Sequence, residues 1–180
     1  GYTNDYKFFD LKEKSSELRR KLRNNGSKKI IAFFDQGSTR DTRWSLSDEK
    51  SLKTYNFLLQ KLLEHDWMGL IIKPKKPGVL KNKISQISEL YEKALKTKRL
   101  HVIEKSQGNH IKNFDDIPAY VSMASDFAIH DTMVAGTAGL ESALVKTPIF
   151  YLDIYNFSES IFYNNTNEKI VYNSLENLWS

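Results

Sequence analysis

The chain has no cysteine, which excludes disulfide staples, thiolate metal sites and a cysteine nucleophile, and is compatible with a reducing compartment. It also lacks any apolar run near the roughly 20 residues needed to cross a bilayer. The basic, apolar and small-residue order of a secretory signal is missing from its start, so a cytoplasmic address is the expectation. There is no internal repeat and no low-complexity tract. No histidine has a partner at metal-ligand spacing, and no carboxylate cluster suggests a di-metal site, so neither a metal nor another cofactor is expected. The Walker pattern and the Gly-x-Gly-x-x-Gly fingerprint are absent, against P-loop hydrolysis and ordinary NAD chemistry.

What is present suits one folded domain. Hydrophobic residues make up 40% and charged residues 27% of 180 positions, close to the average for globular proteins and enough for a core without crosslinks. The net charge of +5 is concentrated at the start, where residues 1 to 29 hold nine Lys or Arg against four Asp or Glu. Such a basic head suits anionic lipid, a neighbouring domain or simply a solvated helix face, and specific nucleic-acid binding is not expected from it. The chain opens on Gly1 instead of methionine, as an excised piece of a longer protein would.

Hydrophobic periodicity then alternates between two kinds. Leu11, Leu18 and Leu22 predict a basic amphipathic helix over 1–27, stopped by Asn24, Asn25 and Gly26. Lys29–Asp35 reads as a strand apolar on both faces. Ser45 and Asp48 resemble a capping box for a long helix carrying Tyr55, Leu59 and Leu62. Strands are expected at Gly69–Lys73, Leu100–Ile103, Asp126–His130, Thr147–Leu152 and Lys169–Tyr172. Helices are expected along Ile84–Ala94, Asp115–Ala124 and Thr137–Val145, with a last one from Ser174. The pattern predicts a Rossmann-like three-layer α/β/α sandwich over 28–180 with about six mostly parallel strands. In such sheets ligands sit beyond the carboxyl ends of the strands, where the strand order reverses.

Candidate residues follow from that rule. After the fourth strand come His130, Asp131 and Thr132, then Gly136, Thr137, Ala138, Gly139, Leu140 and Glu141. Gly136 and Gly139 let backbone approach a ligand, Thr137 adds a hydroxyl, and the free amides at a helix start with Ala138 suit a diphosphate. Glu141, one turn in, is a candidate for ribose hydroxyls. Small residues also let a helix pack tightly on a sheet. Arg40 and Arg43 after the first strand, and Lys73 with Lys75 and Lys76 after the second, are candidate phosphate cations. His110, His130 and Asp131 are placed near the base or sugar.

The stretch Ser125 to Asp153, SDFAIHDTMVAGTAGLESALVKTPIFYLD, resembles the carboxyl-terminal, nucleotide-sugar-binding domain of GT-B fold glycosyltransferases. The likeness is to bacterial capsule and surface-polysaccharide enzymes, related to CDP-glycerol glycerophosphotransferases and Kdo transferases. Ser125, Asp126, Thr137, Gly139, Glu141, Lys146 and Pro148 occupy the matching places, and Ile72-Lys73-Pro74 is similar to a Lys-Pro turn of those relatives, with Lys75 where they often have histidine. The resemblance implies a single half of a GT-B fold. Its Gly136 to Gly139 turn would hold the donor diphosphate and Glu141 the ribose, with Arg40, Arg43 or Lys73 stabilising the leaving nucleotide in place of a metal. It implies a missing amino-terminal acceptor domain and a possible site at the inner face of the membrane, so the chain alone is expected to transfer no sugar. Half of a non-hydrolysing sugar-nucleotide epimerase and a non-catalytic interaction module are the alternatives.

Overall fold

Every position of Lys29–Asp35 after the first is buried, and Met68–Pro74 is buried at all but Lys73. Strands this apolar on both faces are stable only at the middle of a sheet covered on both sides. The computed structural model describes residues 5–35, 48–75, 80, 83–103, 117–133, 136–154, 156–164 and 169–180. In chain order the elements are α1 (Asp5–Asn24), β1 (Lys29–Asp35), α2 (Asp48–Glu64), β2 (Met68–Pro74), α3 (Ser88–Lys96) and β3 (Leu100–Val102). Then come α4 (Pro118–Ala124), β4 (Phe127–His130), α5 (Thr137–Leu144), β5 (Ile149–Leu152), a 3-10 turn (Ile161–Asn164), β6 (Val171–Tyr172) and α6 (Leu175–Trp179).

The six strands form one sheet in the order β3-β2-β1-β4-β5-β6, and every pairing is parallel. Alternate residues of β1 feed two cores. Ile30, Ala32 and Phe34 pack with Leu11, Leu18 and Leu22 of α1, with Val121 and Ala124 of α4 and with Ala138 of α5. Ile31 and Phe33 pack with Tyr55, Leu58, Leu59 and Leu62 of α2 and with Ala94 of α3. The result is the α/β/α sandwich that the alternating periodicities predict, with α1 built into one of its helical layers.

Half of the basic head's work is internal. Arg19 and Arg23 both reach the Asp126 carboxylate, which also accepts from the Ile30 amide at 2.7 Å. Asp126 therefore ties α1 to the start of β1, and β4 begins one residue later than its sequence suggests. α1 ends where Gly26 takes φ 99° and Ser27 N–H donates back to Leu22 C=O at 3.2 Å, a left-handed stop that glycine adopts without strain.

Other boundaries moved for equally local reasons. The stripe from Ile84 breaks at Gln86–Ile87, whose amides turn back to Lys83 and Ile84, and α3 starts only at Ser88. Thr147 spends its hydroxyl on Ser122 C=O and its amide on Ser142 C=O, so β5 begins at Ile149. α4 starts at Pro118, while the expected start at Asp115 and the capping Ser45 lie outside the described residues. At the far end Ser174 caps α6 through the Asn177 amide at 3.1 Å, and Trp179 stacks on His65 and Trp67. Among the described residues no helix is long and apolar enough to cross a membrane.

Candidate functional site

The strand order reverses between β1 and β4, because β1 leads to β2 on one side while β4 leads to β5 on the other. A crevice at that switch point is where open parallel sheets take ligands. The residues ending the two strands are Asp35, His130 and Asp131, all buried.

On the α2 side, Asp35 Oδ2 accepts from Tyr55 Oη at 2.7 Å and lies 3.7 Å from Lys83 Nζ, which donates to Ser51 Oγ at 2.7 Å. A lysine and a carboxylate this buried hold each other in place, since either alone would stand uncompensated in a poor dielectric. Burial first, and then the charge of Asp35, push the Tyr55 phenol well above its ordinary pKa, so it stays a proton donor; Asp131 adds to the effect. Asp131 lies on this face, two residues from Ile129 in the α2 core.

On the other face His130 is 2% exposed, flanked by Phe34 and Tyr151, with Nδ1 2.6 Å from Thr132 C=O. Burial holds its pKa down at about 4 against the usual 6.5. The ring is therefore neutral at pH 7, and because a carbonyl only accepts, Nδ1 carries the proton. His130 offers no positive charge to a ligand. A histidine that resists protonation when folded lets the unfolded state take up protons first, so its contribution is intact above the usual pKa and is lost as pH falls toward the folded one. Acidifying from 6.5 to about 4 is expected to remove about 3 kcal/mol through this residue. Urea unfolding of wild type and His130→Asn across that window checks it: the variant should lose less.

α5 begins at the same edge. Leu140 N–H makes the first helical bond to Gly136 C=O at 2.9 Å, so the amides of Thr137, Ala138 and Gly139 precede the ladder. Gly136, the N-cap residue, contributes no side-chain cap, and the first turn holds no acidic residue. Thr137 is exposed and Gly136 half-buried, whereas Ala138 and Gly139 face inward. Lys73, half-buried, pairs in register with Phe34 beside His130. The structure thus gathers Lys73, His130 and the Gly136–Gly139 turn at one end of the sheet. Arg40, Arg43 and His110 lie outside the described residues.

Two of the candidate residues have structural duties. A Cβ on Gly139 would collide with Tyr151 Oη and lie 2.7 Å from its Cζ, so glycine there is a packing requirement of α5 on β5. Gly139→Ala is expected to cost about 1–3 kcal/mol in thermal unfolding. Gly136→Ala, whose Cβ would keep 3.8 Å from Tyr151 Oη, should cost far less. Glu141 is 2% exposed, and its Oε2 accepts from the Ala119 amide at 2.8 Å. That amide opens α4, where Ile117 gives no side-chain cap and Pro118 has no N–H. Glu141 therefore caps a neighbouring helix from inside the fold.

Sequence reasoning passed over Asp35, Lys83 and Tyr151. Asp35 had a signal, a charge ending an apolar strand, and Tyr55 was visible in its helix stripe. Lys83 sits 28 positions beyond Tyr55 with no pattern to join them. Among the described residues no group of three His, Cys, Asp or Glu side chains is arranged to hold a metal ion. Comparison of the chain with protein-family models, curated proteins and solved structures found no match.

Proposed function

We propose that the chain binds the diphosphate of a nucleotide or nucleotide-sugar at the switch point and serves as the donor half of a GT-B type glycosyltransferase of surface-polysaccharide synthesis. The observation that carries the reading is the bare amino end of α5 beside the carboxyl end of β4. Free amides aligned with a helix dipole suit a phosphate, and an eight-residue helix supplies them here. Lys73 on the same face adds a cation. Thr137, exposed at the first turn, is placed to add a hydroxyl.

Glu141 is committed to α4, so ribose recognition falls to other groups in this reading. Asp35 and Asp131, on the α2 side of the crevice, accept hydrogen bonds and are the better candidates. Transfer chemistry needs a second wall carrying the acceptor, and the isolated chain is expected to bind without turning over. Its site would face an amino-terminal domain, and a position at the inner face of the membrane remains part of the proposal.

Calorimetric titration with CDP, UDP and GDP, each against its monophosphate and nucleoside, tests it. One diphosphate should bind more tightly than its monophosphate, the nucleoside should bind least, and affinity should fall with salt. Equal weak heats from all nine ligands would reject the reading.

A further inference from the structure

Beyond the phosphate turn, one buried polar atom at the same edge of the sheet has no protein partner. Asp153 ends β5 and is 3% exposed; its Oδ2 accepts from the Tyr163 hydroxyl, while its Oδ1 has no hydrogen bond among the described residues. A buried carboxylate oxygen without a donor is costly, and native structures supply a partner in nearly all cases. The chain just beyond Asp153 walls a cavity of about 350 Å3, lined by Met133, Asn156, Phe157, Ser158, Glu159 and Ser160. Tyr163, which holds Asp153, packs in one apolar cluster with Met133, Phe157 and Tyr151. Tyr151 is the residue against which the Gly136–Gly139 turn sits. The cavity, the orphan oxygen and the phosphate turn therefore share one set of walls.

The chemistry of those walls selects the ligand. Glu159 and Asp153 make the cavity hostile to a phosphate. A metal ion lacks a ligand set, since no group of three His, Cys, Asp or Glu side chains is arranged to hold one among the described residues. Ser158, Ser160 and Asn156 both donate and accept, Met133 and Phe157 offer apolar surface, and the carboxylate only accepts. A neutral group bearing several hydroxyls, with carbon faces between them, matches that set. We infer that this cavity seats the sugar or polyol portion of the ligand, with Asp153 Oδ1 accepting from one of its hydroxyls. The inference rests on the nucleotide-binding reading for its neighbouring phosphate and gives that ligand its second half.

The test compares wild type, Asp153→Asn and Asp153→Ala in calorimetric titration with UDP against UDP-glucose and CDP against CDP-glycerol. Asn keeps the size of the side chain and the acceptor for Tyr163 but puts a donor on the carboxamide. Asp153→Asn should weaken the hydroxyl-bearing ligand at least tenfold and leave the bare diphosphate within twofold, with its melting temperature no lower than wild type. A loss shared equally by both ligands, or no loss, overturns the assignment while leaving the phosphate site standing. Saturation-transfer NMR with glycerol and glucose alone separates the two readings if no nucleotide binds. Contact with wild type that Asp153→Asn and Asp153→Ala both abolish supports the polyol cavity without the nucleotide. Absence of contact with wild type rejects it, and a large melting loss in Asp153→Asn without ligand makes Asp153 a structural residue only.

Discussion

Lys83→Met is expected to cost about 3–5 kcal/mol of unfolding free energy, because it removes the ammonium that compensates a buried carboxylate. Asp35 has a fully buried side chain, 3.7 Å from Lys83 Nζ, and would keep its charge beside Tyr55 without that cation. Adding Asp35→Asn to Lys83→Met should recover most of the loss, since removing both charges is far cheaper than removing one. Urea unfolding of the two single variants and the double variant closes this cycle. A loss below about 1 kcal/mol for Lys83→Met would mean that Asp35 and Lys83 act as a surface pair would, and that the α2 wall of the crevice is not held by them.

The second large effect concerns Glu141. Glu141→Ala is expected to cost about 2–4 kcal/mol, from an orphaned buried amide and a lost charge at the amino end of α4. Glu141→Gln keeps an acceptor for Ala119 and should cost about 1 kcal/mol or less. Affinity separates this cap from a ribose contact. With the cap, Glu141→Gln binds a nucleoside diphosphate within about twofold of wild type. With a ribose contact, it loses about tenfold, equivalent to about 1.4 kcal/mol, with little change in stability.

The architecture was legible in the sequence because period and burial are coupled. A run such as Ile30 to Phe34 has no polar face and must lie at the centre of a sheet, and Leu11, Leu18 and Leu22 mark a helix edge at 3.6-residue spacing. The six strands and the helices that flank them follow from that. Strand order does not, since nothing in the spacing says that β4 returns beside β1; that depends on which faces α2 and α4 cover. The site was legible only as a segment. The Gly136–Gly139 turn stood out as small residues at a helix start, but small residues serve packing as well as ligands, and Gly139 against Tyr151 shows the packing use. Glu141 looked like a cleft residue because its turn faces the sheet edge. Its true neighbour, the Ala119 amide, lies 22 positions away and leaves no trace in local pattern. Lys83 and Asp153 were invisible for the same reason, since long-range burial decides what each charge does.

Gly136→Asp tests the central claim most directly, because it separates binding from folding. An aspartate there meets only ordinary contact, with Cβ 3.8 Å from Tyr151 Oη. It places a negative charge at a helix start that has no side-chain cap. Stability should hold or rise by up to about 1 kcal/mol, while the carboxylate occupies the amides and repels phosphate. The account predicts an unchanged or higher melting temperature with at least a tenfold loss of nucleoside diphosphate affinity, a cost of about 1.4 kcal/mol or more. A variant that folds as well as wild type and binds the diphosphate equally would contradict it.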